Sequence, residues 1–388
     1  CARSARLTAP RGATSNPAVI VPATTGGQFC SQGSSDQELG PALFGTNFCG
    51  SGTNSIVFGY NGYHNGFAHT MPKTGTVTWQ TIFVCNNPQE KLISNLRDLN
   101  GDGTDDLWFG GSNNAGWLNF GKRPENGSNF CTHSAPAPSN INCSGQVIRR
   151  LSGNMSQTAY RLGDVGGDLG VDIGLIGSTT LFGLFSFSSD DLNAITAGQG
   201  FKMSTSAGSI SSVVGDIDLN GDGLIDIAIG LEGADSNGLS SNGRVYVVYG
   251  RTGGFPFETD LDAPSQDVVR IDGVSDLEFV GKLMTSTDFD GDGLDDVVVP
   301  GANGSIYVLF GHSSRFVAGA ITGVNGQVSV IPAPTGQIAS LGSDFDFNDD
   351  GLEDFGLNGP GGQDDYYVVL GRSNALFSDS FEQQASPP

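Results

Sequence analysis

Four stretches of the chain place carboxylates and carboxamides at one spacing. They are Asp98, Asn100, Asp102 and Asp106; Asp218, Asn220, Asp222 and Asp226; Asp288, Asp290, Asp292 and Asp296; and Asp346, Asn348, Asp350 and Asp354. Counted from the first residue, side-chain oxygens fall at positions 1, 3, 5 and 9, with glycine (Gly103, Gly223, Gly293, Gly351) at position 6. Main-chain carbonyls of Thr104, Leu224, Leu294 and Leu352 supply position 7. An all-oxygen cage closed by a glycine turn suits a hard cation with a flexible shell, so calcium is the expected cofactor. A fifth, weaker site is expected at Asp164, Asp168 and Asp172, where Gly166 replaces the third ligand and Leu169 the glycine. A sixth copy, beginning at Asn47, keeps the frame without a carboxylate and reads as an empty turn.

The same acidic spacing occurs in EF-hands, which also need a bidentate glutamate at position 12 and flanking helices. Position 12 here is Phe109, Ile229, Val299 or Leu357, none of which ligates through its side chain. Three of the loops instead run into a short apolar segment closed by glycine: Leu107–Gly110, Ile227–Gly230 and Val297–Gly301. Such runs predict buried strands. Further strands are predicted at Ser305–Phe310 and Val328–Ile331, and Gly-Arg or Gly-His recurs after a strand at 250–251, 311–312 and 371–372. No stretch keeps a helical period over ten residues, so the chain reads as all-β.

First loop positions at 47, 98, 164, 218, 288 and 346 recur about every 60 residues, the length of a four-stranded blade with generous loops. The sequence Phe279-x-Gly281, the Asp288 loop and Val297-Val-Val-Pro300-Gly301 together resemble the FG-GAP repeat of integrin alpha-subunit propellers. The resemblance covers roughly residues 17–376. It implies a β-propeller with calcium on the loops between the first two strands of a blade, in a structural rather than catalytic role. Six repeats favour six blades, although integrin propellers have seven and a seventh without the motif is the alternative. Ala18–Ala23 resembles Val328–Ala333 and is expected to close the last blade. The domain layout is then a basic arm at 1–16, the propeller at 17–376 and a tail at 377–388.

A net charge of −23 makes nucleic acid an unsuitable partner, and much of that acidity sits in the loops. The 59 glycines among 388 residues fit tight turns between strands. Six cysteines (Cys1, Cys30, Cys49, Cys85, Cys131, Cys143) all precede residue 144, which points to disulfides and an oxidising compartment; Cys131–Cys143 and Cys30–Cys49 are candidate pairs among 15 possible pairings. The first residue, Cys1, suggests removal of an export signal or a lipidated terminus. Asn126, Asn142, Asn154 and Asn303 begin glycosylation triplets. No apolar run is long enough to span a membrane.

No nucleophile elbow, zinc-protease helix or phosphate loop is present, and the four histidines (His64, His69, His133, His312) lie in no catalytic pattern. The expected function is therefore a secreted or cell-surface, non-enzymatic module for adhesion or assembly. Its partners would be other extracellular proteins or copies of itself. Arg3, Arg6 and Arg11 mark a basic arm that could dock on an acidic neighbour and build a filament. The alternative is a lectin-like protein or polysaccharide lyase binding glycans through Tyr60, Tyr63 and Trp117.

Overall fold

A computed structural model describes residues 158–167, 170–185, 192–324, 327–333, 338–358 and 365–372, together with the backbone of the strands that precede them and residue 99. Apart from two single turns of 3-10 helix, at Leu192–Ala194 and Ile321–Gly323, its regular elements are strands. They form six sheets of four or five strands, plus one short parallel pair, Val84–Cys85 with Thr132–His133.

Each large sheet is an antiparallel meander at heart. In the fourth sheet Ser212–Ile217, Asp226–Leu231, Arg244–Val248 and Val268–Asp272 pair in that order. In the fifth the order is Thr285–Thr287, Asp296–Pro300, Ser305–Leu309 and Val328–Pro332, the last three matching strands expected from sequence. The first strands of successive sheets touch one another around a closed circuit, from Leu39–Thr46 through Glu90–Arg97, Ala159–Gly163, Ser212–Ile217 and Thr285–Thr287 to Ser340–Phe345 and back. This is the arrangement of a β-propeller.

The last sheet combines both ends of the chain. Ile20–Thr24 pairs antiparallel with Asp365–Val369, Ile20 facing Val369 and Thr24 facing Asp365. The strand expected to close the ring from Ala18–Ala23 does so, shifted by one or two residues. The interlocked pairing also leaves that sheet with one fewer open edge.

The core lies between neighbouring sheets, which explains why the strands read as unbroken apolar runs. Val297 and Val299 pack towards Val245, Val247 and Tyr249 of the fourth sheet, while Val298 packs with Phe355, Leu357 and Val369 of the sixth. All three valines are completely buried, each worth about 1.5–3 kcal/mol of apolar burial. Alternation still operates; both faces are simply apolar. Leu96 and Trp108 make the equivalent contact with Ala159, Ile173 and Leu175.

The first strands carry a register shift just before they enter the acidic loops, between Val214 and Ile217, Arg161 and Gly163, and Gly342 and Phe345. A bulge bends the strand and re-aims the loop beyond it. The second strands start on the ninth loop residue itself: Asp106, Asp172, Asp226, Asp296 and Asp354. Each loop is thus held at both ends by a ladder.

Candidate metal centre

Three of the four full loops lie within the described residues. In the loop at 218, the Asp218 carboxylate accepts hydrogen bonds from the amides of Gly221 at 2.7 Å and Gly223 at 2.8 Å. Asn220 Oδ1 accepts from the Asp222 amide at 3.0 Å, and Asp222 Oδ1 from the Leu224 amide at 2.9 Å. The loop at 346 repeats the set: Asp346 accepts from Asp350 and Gly351, Asn348 from Asp350, and Asp350 from Leu352. The loop at 288 does the same with Asp288, Asp290 and Asp292. In these three loops the side chains at positions 1, 3 and 5 are thus oriented by the backbone of their own loop.

This wrapping requires left-handed backbone at two places, positions 4 and 6. Gly221 and Gly223 have φ of 72° and 75°, and Gly291 and Gly293 have 74° and 88°. In the last loop Asp349 takes the position-4 conformation at 62°, a region aspartate tolerates better than most residues.

The ninth carboxylate works differently. Asp226, Asp296 and Asp354 are completely buried. One oxygen accepts from the amide of the second loop residue: Leu219 at 2.9 Å, Phe289 at 2.9 Å and Phe347 at 2.5 Å. The other accepts from the glycine that follows the third strand: Gly250 at 2.7 Å, Gly311 at 2.8 Å and Gly371 at 2.8 Å. That explains the glycine in the recurring Gly-Arg and Gly-His pairs. A Cβ at Gly311 would sit 2.5 Å from the Asp295 carbonyl oxygen, and one at Gly371 would sit 2.4 Å from that of Glu353.

Oxygens of Asp288, Asp290 and Asp296 converge to within 4.8 Å of one another. Ligands that each sit 2.3–2.6 Å from a calcium ion lie at most about 5 Å apart, so these oxygens fit that ion in chemistry and span. Burial pushes the Asp296 carboxyl up to about 8, with Asp290 and Asp292 adding repulsion and the Gly311 and Phe289 amides opposing it. Burial likewise raises Asp226 to about 7, and Asp290 and Asp354 to about 6. Crowded acids of this kind gain most from a bound cation.

The remaining sequence candidates divide into two groups. Asp98, Asn100, Asp102 and Thr104 lie outside the described residues, as does Asp168; Asp106 begins its strand as the other ninth residues do. Within the loop at 164, Asp164 is half-buried, and Asp172 is buried and accepts from the Gly166 amide at 2.8 Å. A Cβ at Gly166 would meet the Phe185 ring at 2.9 Å, so that ring fills the space a third-position ligand would use.

Sequence reading missed the residue at position 8. Asp295 accepts from the Asp218 amide at 2.8 Å and donates its own amide to the Asp218 carbonyl at 3.3 Å, bridging two sheets. Glu353 accepts from the Asp288 amide at 3.0 Å and from Thr287 Oγ1 at 3.1 Å. The doublets Asp295-Asp296 and Glu353-Asp354 were the available signal. Also unforeseen was buried Glu278, which takes hydrogen bonds from the Val274 and Ser275 amides, Asn303 Nδ2 and the Tyr307 hydroxyl. Asn303, one of the glycosylation candidates, spends its amide nitrogen in that network. His312 is exposed and caps its own turn through Ser314.

Of the other residues singled out, Cys85, Cys143, His69, His133, Tyr60 and Trp117 lie in strands described by backbone, while Cys1, Cys30, Cys49, Cys131, His64 and Tyr63 lie outside the described residues. The basic arm and the tail at 377–388 also fall outside them. No helix among the described residues is long and apolar enough to cross a membrane.

No family model matches the chain. Over 95 residues it is 38% identical to integrin alpha-E of Mus musculus, a match spanning 24% of this chain and 8% of that protein. Over 109 residues it is 34% identical to the phosphatidylinositol-glycan-specific phospholipase D of Rattus norvegicus, spanning 26% of this chain and 13% of that protein. The similarity thus reaches a small part of each relative's length. Among solved structures, BBS1N, crystallised in complex with ARL6DN and soaked with lead, superposes with a TM-score of 0.46 at 11% identity, over 88% of this chain and 94% of that one.

Proposed function

We propose that this protein is an extracellular, calcium-stabilised propeller that works by binding or assembly rather than by catalysis, and that its six sheets are its six blades. The convergence of Asp288, Asp290 and Asp296 oxygens on one point carries the reading. The loops at 218 and 346 repeat its hydrogen bonds, and the loop at 98 repeats its spacing of oxygen-bearing side chains. Bound ions would neutralise buried acids at the junctions between blades, which makes their role structural.

Extracellular modules of this chemistry bind calcium with Kd of roughly 10⁻⁴ to 10⁻³ M. At about 1 mM calcium each filled site then adds ~0.4–1.4 kcal/mol, and four sites add ~2–6. That is a large share of a typical stability of ~5–15 kcal/mol, and cytosolic calcium would not supply it. The partial-length similarity to an integrin alpha subunit supports an adhesive or assembling role.

The test is thermal unfolding and native particle size in 1–2 mM calcium and in chelator. A fall of several degrees in Tm on chelation is expected. Larger particles in calcium would identify self-assembly, with trimming of residues 1–15 as the test of the arm, and a calcium-dependent monomer would identify a module for other partners. Identical melting in both conditions, with no calcium bound at equilibrium, overturns the reading.

A further inference from the structure

The metal loops at 218, 288 and 346 are joined by a continuous hydrogen-bond path from ligand to ligand. It starts at Asp354, whose Oδ1 accepts from the Gly371 amide at 2.8 Å. The next amide in the chain, Arg372, donates to the Phe289 carbonyl at 2.8 Å. Phe289 in turn donates its amide to Asp296 Oδ2 at 2.9 Å. The pattern then repeats one blade earlier. Asp296 Oδ1 accepts from Gly311 at 2.8 Å, His312 donates to the Leu219 carbonyl at 2.8 Å, and Leu219 donates to Asp226 Oδ2 at 2.9 Å.

A second bridge runs beside each step, made by the position-8 carboxylates. Glu353 caps the first amide of the loop at 288, and Asp295 caps the first amide of the loop at 218. Each candidate site is therefore tied to its neighbour at its first, second and ninth residues. At the junction with the third sheet position 8 is Ile225, and an ion pair between Arg161 and Asp216 bridges the blades instead.

We infer that the cation sites at 218, 288 and 346 fill cooperatively, with Asp295 and Glu353 acting as positioning residues for the site on the preceding blade. The inference rests on the calcium reading above. A cation entering the loop at 346 fixes Asp354 and, through Gly371 and Arg372, the second residue of the loop at 288. That ordering is then already complete when the next ion binds, and coupling of this kind is reciprocal. The loop at 164 lies outside the coupled set.

Calcium titration of the full chain by calorimetry tests this, with circular dichroism to confirm that each variant stays folded. Wild type should show a Hill coefficient above 1. Asp350→Ala, which disables the loop at 346 without touching the path, should remove one site and weaken the remaining coupled sites several-fold. Glu353→Leu should keep the number of sites but lower the Hill coefficient towards 1. Glu353→Gln keeps an acceptor oxygen and should behave like wild type, separating the hydrogen bond from the charge. If Asp350→Ala removes one site and leaves the others at wild-type affinity, the sites are independent and the inference fails while the calcium reading stands. If wild type binds no calcium at 10 mM, both fail.

Discussion

Asp290→Asn tests the loop chemistry most directly, because the protein already carries asparagine at that position in its other three full loops. In the loops at 218 and 346 an asparagine occupies position 3, and its Nδ2 donates to the position-5 carboxylate: Asn220 to Asp222 at 3.1 Å and Asn348 to Asp350 at 2.9 Å. In the loop at 288 position 3 is Asp290, which faces Asp288 and Asp292 as a like charge and is pushed up to about 6, chiefly by burial. Replacing it by asparagine should recreate the hydrogen bond to Asp292 and remove the repulsion. A hydrogen bond to a charged group contributes ~1.5–3 kcal/mol, and the open rim of the loop reduces this to about 1–2 kcal/mol in chelator at pH 7.

The change acts oppositely on metal binding. Losing one ligand charge should weaken the site about tenfold, from roughly 10⁻⁴ to 10⁻³ M. At 1 mM calcium that lowers the ion's contribution from ~1.4 to ~0.4 kcal/mol. Asp290→Asn should thus stabilise the chelated protein by about 1–2 kcal/mol and be nearly neutral in calcium. Urea unfolding in both conditions is the assay. The gain in chelator should also shrink with acid. A folded carboxyl raised above its ordinary value carries a penalty that is full above about pH 6 and fades as pH falls towards 4. Destabilisation in chelator at pH 7 would refute the reasoning, because it would mean that the loop needs the carboxylate without any ion.

Gly311→Ala forces a Cβ to within 2.5 Å of the Asp295 carbonyl oxygen and displaces the amide that holds Asp296, so it should cost about 2–4 kcal/mol in urea unfolding and weaken calcium binding. Glu278→Ala leaves two amides, Asn303 and the Tyr307 hydroxyl without their acceptor; about 3 kcal/mol should be lost, in calcium and in chelator alike, since Glu278 belongs to no metal loop. Leu277 is 59% exposed with φ of 57°, so Leu277→Gly should raise stability by about 1 kcal/mol, measured by thermal melting. In chelator the wild type should gain stability as pH falls from 8 to 6, because Asp226 and Asp296, raised to about 7 and 8, take up protons in the folded state before the unfolded one does.

The candidate metal loops were legible in the sequence because they are local: the oxygen-bearing residues at positions 1, 3, 5 and 9 belong to one short segment, and the turn at position 6 takes a glycine whatever surrounds it. The strands followed from apolar runs such as Val297–Val299 bounded by glycine, and the repeat followed from their recurrence. Even the closing strand at Ile20–Thr24 left a trace, in its likeness to the outer strand of another blade.

The junctions left no comparable trace. Asp295 was not singled out, and the Gly311-His312 pair read only as a recurrence after a strand, because their partners Asp218 and Leu219 stand about 75 to 95 residues earlier in the chain. Likewise nothing local to Gly166 foretold that the Phe185 ring would occupy its third-ligand space. Ligand spacing is a property of one segment, so the sequence alone singled out the residues proposed to hold an ion. Which loop rests on which depends on face-to-face packing of the sheets and closure of the ring, so only the tertiary structure decided how the sites are joined.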